Sequence, residues 1–268
     1  MSHRNDESID KNATTLLFFY LFVQNRFTPS HPLLNVNELV DKGFTCFNID
    51  FTEELQKELQ QLNDVVNNEN GHVEQYHTER SGRYFNFDSV SSIIYDAVIT
   101  EQLVLLLVAY FGDYEPMIFH AAIVHAKSAT DTQCLHRDTP VRQFPVLTLL
   151  FDITNQVATT EVIPCSHQTE YVQSENLGQL SHLLVRVTNS QNAFIFHPFM
   201  AHRGVKSSSD TFKLSITFIG KPKTEADHHW CAEHSTAFGI RDNDDGLSAF
   251  AERGSYPLLA IRNLHKLD

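Results

Sequence analysis

Residues 193–218 read AFIFHPFMAHRGVKSSSDTFKLSITF. Three short β-prone runs (193–197, 200–204 and from 213 onward) are separated by His197-Pro198 and by a serine-rich turn. In the last run Leu214, Ile216 and Phe218 alternate with Lys213, Ser215 and Thr217. That period of two belongs to a strand with one apolar face and one polar face. Similar runs lie at 117–127, 146–154, 160–164 and 183–188, each bounded by turn signals. Short strands at this spacing predict a sandwich or barrel in place of βαβ units. Upstream, residues 37–42, 52–70 and 90–110 carry helical patterns, with Gly43 and Gly112 as stops and a β-prone stretch at 44–49. The reading is α+β with a mainly β core: one domain, with helical support over 1–112, a β core over 113–220 and a polar extension over 221–268. The 166–182 connection is expected over the barrel mouth, residues 1–12 are expected to fray, and 242–246 are expected to form an exposed loop.

The chain has 268 residues, 42% of them hydrophobic, enough for a sizeable core. Its formal charge of −13 argues against a grip on nucleic acid, which needs clustered Lys and Arg. Four scattered cysteines without a C-x-x-C pair predict reduced thiols and a cytoplasmic setting. The apolar runs at 16–23 and 103–111 are too short for a membrane span. Acidic residues precede the first and Gln24-Asn25-Arg26 follow it, so a packing helix is expected there in place of a signal peptide. Fifteen histidines beside four cysteines direct any metal site toward imidazole and carboxylate ligands.

His136-Arg137-Asp138 is the string that carries chemistry. Residues two apart on a strand share a face, so the imidazole and the carboxylate can converge on one ion. About two such H-x-D/E strings are expected by chance at this composition. Three occur, and His72/Glu74 and His77/Glu79 fall in a polar connector where solvated side chains are expected. His136 follows one strand run and precedes another. His202 lies on a run of its own, and Lys213 eleven residues beyond it begins the last strand. Two histidines and a carboxylate form the ligand set of non-haem Fe(II) oxygenases. A lysine facing a barrel interior calls for an anionic partner, such as a carboxylate-bearing cosubstrate. Arg137 is expected to point away from the ligand face, Cys134 to fill a small buried position, and His197 to be a hydrogen-bonded core residue. Lys127 is a candidate for the cosubstrate pocket, and the His228, His229, Cys231, His234 cluster is expected in a solvated loop.

Four stretches together resemble the phytanoyl-CoA dioxygenase family of Fe(II)/2-oxoglutarate oxygenases. They are residues 37–67 (with ELVDKGFTCFNIDFTEELQKELQQL), 122–140 (AIVHAKSATDTQCLHRDTP), 160–167 (TEVIPCSH) and 193–218. The resemblance implies a double-stranded β-helix with supporting helices. It implies His136, Asp138 and His202 as iron ligands and Lys213 at the position that grips the distal 2-oxoglutarate carboxylate, with Thr148 and Ser215 assisting. Lysine stands there where the family normally has arginine, so a point charge replaces a bidentate fork. Pro164-Cys165-Ser166-His167 stands where the family usually has Pro-Gly-Ser-His. The implied activity is hydroxylation of a small-molecule or lipid-like substrate, consuming O₂ and 2-oxoglutarate and releasing succinate and CO₂. Two other readings stay open: a non-catalytic barrel that binds a metal or small acid, and a metal-dependent cupin enzyme without 2-oxoglutarate.

Overall fold

A computed structural model describes residues 36–68, 73–77, 80–85, 87, 90–128, 131–138, 145–153, 160–168, 184–187, 192–206, 208–229 and 231. The expectations for residues 1–12, 16–23 and 242–246, for His72 and His234, and for most of the 166–182 connection lie outside them.

Helix α1 (Val36–Lys42) leads through Gly43 into β1 (Phe44–Phe47), and α2 (Glu53–Asn68) follows. Strands β2 (Val73–His77) and β3 (Arg80–Phe85) form an antiparallel hairpin where the sequence suggests a polar connector. Two helices, α3 (Ser92–Val98) and α4 (Glu101–Phe111), replace the single one expected over 90–110. Thr100 separates them by accepting the Leu103 amide as an N-cap, which ends one helix and starts the next. Seven strands come after: β4 (Pro116–Ala126), β5 (Val146–Asp152), β6 (Thr160–Val162), β7 (Val185–Arg186), β8 (Ala193–Phe196), β9 (His202–Gly204) and β10 (Thr211–Gly220).

These strands form two antiparallel sheets, a seven-stranded one in the order β1-β8-β5-β10-β4-β3-β2 and a three-stranded one in the order β7-β6-β9. This is the double-stranded β-helix with supporting helices. The period-two pattern assigns the two faces of the large sheet. Leu147, Leu149 and Phe151 of β5, Leu214, Ile216 and Phe218 of β10, and Ile123 of β4 join buried residues of α1 to α4 in one apolar core. The opposite parity supplies a polar inner face, where Thr148, Asp152, Thr211, Ser215, Thr217 and Arg80 are all buried. Registers align that face in rows: Phe196, Thr148, Thr217 and His120 lie directly across four strands. One step along, about 7 Å, come Phe194, Leu150, Ser215 and Ala122, and in the next row Asp152, Lys213 and Val124.

Among the described residues no single helix is long and apolar enough to cross a membrane. The bent pair α3–α4 has the length and composition, and its Leu103, Leu106 and Leu107 are buried in the core.

Candidate metal centre

His136 and His202 face each other as an antiparallel pair, His136 N–H donating to His202 O at 3.0 Å and His202 N–H to His136 O at 2.9 Å. Directly opposed residues share a face, so this one pair brings both imidazoles together, with ring centroids 4.5 Å apart. Asp138 is fixed two residues on, its amide donating to Pro198 O at 2.9 Å. Its Oδ1 lies 3.5 Å from His136 Nε2 and 3.4 Å from His202 Nε2. The three ligand atoms fall within 4.8 Å of one another. Metal–ligand bonds of about 2.1 Å at right angles separate neighbouring donors by about 3 Å, so only a small contraction seats an ion.

The outer hydrogen bonds prepare both rings for this. His136 Nδ1 is 3.0 Å from Cys134 O, and His202 Nδ1 is 2.9 Å from Met200 O. A carbonyl accepts only, so each Nδ1 carries a proton, and each Nε2, turned to Asp138, is the atom left to bind an ion once the ion displaces any proton there. Phe196 packs edge-on against the His202 ring at 4.9 Å and limits its rotation.

Electrostatics favour a cation at this point. Burial works to raise the Asp138 pKa, but the two imidazoles outweigh it and hold the carboxyl well below its ordinary range. Burial likewise opposes charge on His136, and the Asp138 hydrogen bond and charge reverse that, leaving a raised pKa. The His136 and Asp138 side chains keep 38% and 32% of their surface accessible despite strong desolvation, as groups lining a concavity do.

Arg137 projects the other way. Its guanidinium donates to Ser166 O at 2.9 Å and lies 4.2 Å from the centre of the Phe199 ring. The Ser166 hydroxyl in turn donates to Ile163 O and accepts the Ala201 amide, tying the metal loop to the start of β9. His197 is a buried core residue, as expected, with Nδ1 accepting the Phe199 amide. Cys134 is exposed and does not fill a buried position, because it lies in an irregular segment that pairs with β9 only at single positions. Cys231 is buried against Met117, Phe119 and Ile219, so that end of the C-terminal cluster is packed.

The four cosubstrate candidates are distributed unequally. Lys213 points into the interior, with Nζ donating to Thr160 Oγ1 at 2.9 Å, and burial pulls its pKa down to about 8 against the opposing pull of Asp152. Ser215 lies one row from Lys213. Thr148 lies two rows away, next to Thr217 at 3.3 Å, in the row that ends at His120. Lys127 is exposed beyond the end of β4, with the opposite parity to the inner face. The structure does not bring it to the site.

Two interior residues are absent from the sequence reading. Arg80 on β3 is buried, donates to Val205 O at 2.8 Å and Asp131 O at 3.3 Å, and acts electrostatically on both His136 and Lys213. A Cβ on Gly204 would collide with its guanidinium, so glycine makes room for the arginine. His120 on β4 hydrogen-bonds Thr217 Oγ1 at 3.0 Å and packs against Tyr84. Burial lowers its pKa to about 3, so it is a neutral imidazole that feels the Asp138 charge. For His120 the only signal is local alternation, with Phe119 and Ala121 on either side of it, whereas Arg80, between Glu79 and Ser81, carries none.

No family model and no curated protein matches the chain. Solved structures do. AviO1 from Streptomyces viridochromogenes Tue57 is 15% identical, with a TM-score of 0.53 over 72% of this chain and 100% of that one. The non-heme alpha-ketoglutarate-dependent carbocyclase SnoK from nogalamycin biosynthesis is 11% identical, with a TM-score of 0.57 over 76% and 90%. HygX from Streptomyces hygroscopicus, crystallised with nickel and 2-oxoglutarate bound, is 9% identical, with a TM-score of 0.52 over 70% and 86%. At these identities the likeness is one of fold.

Proposed function

We propose that the protein is an Fe(II)- and 2-oxoglutarate-dependent oxygenase that hydroxylates a small-molecule or lipid-like substrate. The observation that carries this reading is the pair of facing histidines with Nδ1 engaged by carbonyls and Nε2 turned to Asp138. Three ligands on one side of an ion leave positions open for cosubstrate and O₂, the arrangement of the 2-His-1-carboxylate iron sites. The fold shared with SnoK and HygX, one named as alpha-ketoglutarate dependent and the other holding nickel and 2-oxoglutarate, supports the same cofactors.

When bound, iron couples oxidative decarboxylation of 2-oxoglutarate by O₂ to oxidation of a substrate C–H bond, giving succinate, CO₂ and the hydroxylated product. The chain's own part is positional. His136, Asp138 and His202 hold the ion, and Lys213, with Thr160 beside it, takes the distal carboxylate. Arg80 adds positive potential on the same side. The neutral row of Thr148, Thr217 and His120 supplies hydrogen bonds without charge next to the ligands. The net charge of −13 favours a substrate without a polyanionic tail, and the absence of a C-x-x-C pair fits a cytoplasmic setting.

Succinate formed from 2-oxoglutarate under air, with and without Fe(II), tests this reading across a panel of small alcohols, lipids and acyl thioesters. Iron-dependent succinate that disappears in Asp138→Ala is expected. Lys213→Met should raise the 2-oxoglutarate concentration required by at least about tenfold, the scale of one lost charge-assisted contact, while metal uptake is unchanged. No iron uptake and no turnover on any substrate overturns the assignment.

A further inference from the structure

A lysine and an arginine at a carboxylate site differ in one respect that the surrounding sheet must answer. Guanidinium stays protonated wherever it is placed, whereas a desolvated amine gives up its proton readily. Lys213 sits on the inner face of β10 with Val124 opposite on β4 and Asp152 opposite on β5. Directly opposed side chains in an antiparallel pair have Cβ atoms about 5 Å apart. Asp152 is 5% exposed, and its backbone is pinned by its amide donating to Asn192 O at 2.9 Å. From β6, Thr160 accepts the ammonium proton at 2.9 Å and carries no charge. Among the described residues, the charged groups that act on Lys213 are Asp152, which favours its protonated form, and Arg80 of β3, which opposes it.

We propose that Asp152 is a positioning residue for the cosubstrate: it holds Lys213 as an ammonium in the empty pocket, so that an incoming distal carboxylate meets a cation. This rests on the reading of Lys213 as the 2-oxoglutarate anchor. The same carboxylate competes with the ligand for that cation. Asp152 therefore costs affinity where Lys213 is charged in any case, and supplies affinity at higher pH where the amine would otherwise be neutral. The chemical class selected is a 2-oxoacid with a second carboxylate, and the selection is pH-dependent.

The test compares two probes on the Mn(II)-loaded full chain by calorimetric titration between pH 6.5 and 9. One is 2-oxoglutarate. The other is 2-oxobutyrate, which has the same chelating end and lacks the distal carboxylate. Taking the ratio of their affinities removes the titration of the metal ligands. In the wild type the preference for 2-oxoglutarate should hold to about pH 8 and then fall about tenfold per pH unit. In Asp152→Asn it should equal or exceed the wild-type value at pH 6.5 and begin its fall at least about one pH unit lower. Asp152→Ser gives the same profile should asparagine destabilise the strand end. In a Lys213→Arg background the pH shift caused by Asp152→Asn should vanish. Parallel pH profiles for wild type and both Asp152 variants overturn the role of Asp152 alone. A wild type without preference between the two probes overturns the Lys213 anchor, and this inference with it.

Discussion

His136 and His202 hold each other in place through both backbone hydrogen bonds of one antiparallel pair, so neither backbone position can shift without breaking the bridge, and the Nδ1 contacts to Cys134 O and Met200 O orient the rings. Metal and proton compete for the same atoms. The His136 pKa lies above its ordinary 6.5, so the pair stabilises the metal-free fold fully below that pH and loses the contribution as pH rises through the folded value. Asp138 is depressed below its ordinary 3.8, and its contribution is present above that pH and lost on acidification. The metal-free protein should therefore melt at progressively lower temperature from about pH 6.5 upward, while the gain in melting temperature on adding Mn(II) grows over the same range. Differential scanning calorimetry with and without metal checks both trends, and a metal-induced gain that shrinks as pH rises would contradict them. The three ligands are legible in the chain because His136 and Asp138 share one H-x-D string and His202 lies on a strand run of its own. Arg80 and His120 are not, because one arginine and one histidine become interior groups only when β3 pairs with β4 and β4 with β10. Nothing local announces those pairings.

At the scale of elements, the turn from α1 to β1 shows how the N-terminal part is attached to the site. Gly43 has φ of +89°, a conformation that favours glycine, and a Cβ there would strike the His167 ring. His167 Nε2 donates to Val40 O, Gln168 Nε2 to Val40 O and Asp41 O, and the Cys165 amide to Lys42 O, so this segment caps the end of α1. Gly43 O accepts the His197 amide, five residues before His202 at the start of β9. Gly43→Ala should destabilise the fold by about 2–4 kcal/mol through backbone strain and overlap together, read as a lowered urea midpoint with unchanged slope. A midpoint within error of wild type would contradict that account. Gly43 reads as a helix stop from the sequence alone, but the histidine beside it is 124 positions away and visible only in the fold. The β2–β3 hairpin escapes the reading for a similar reason. Val73–His77 is polar for a strand, and its pairing with Arg80–Phe85 at the sheet margin compensates for weak intrinsic propensity.

Across the whole molecule, one parity rule separates stability from chemistry. Odd positions of β5 and even positions of β10 form the core under the helices, and the alternate positions form the polar interior that faces the metal ligands. The alternation of Leu214, Ile216 and Phe218 with Lys213, Ser215 and Thr217 displays this division in the sequence, which is why the barrel is legible before its partners are known. Phe151 is fully buried and packs edge-on against Phe51 at 5.8 Å. Phe151→Ala should cost about 3–5 kcal/mol with metal stoichiometry retained in the folded fraction. Thr148→Val, on the inner face, should leave the melting temperature within a few degrees while altering turnover. The reverse pattern would contradict the assignment of faces.

The most direct measurement is an anaerobic titration with Fe(II) followed by 2-oxoglutarate, monitored in visible light. One equivalent of iron should bind, and 2-oxoglutarate should then produce a charge-transfer absorption, since a 2-oxoacid chelates an iron held by two histidines and a carboxylate with positions open. Asp138→Ala and His202→Ala should show neither step. Iron that binds equally well without Asp138, or wild-type protein that binds iron and gives no absorption with 2-oxoglutarate, would contradict the proposed centre.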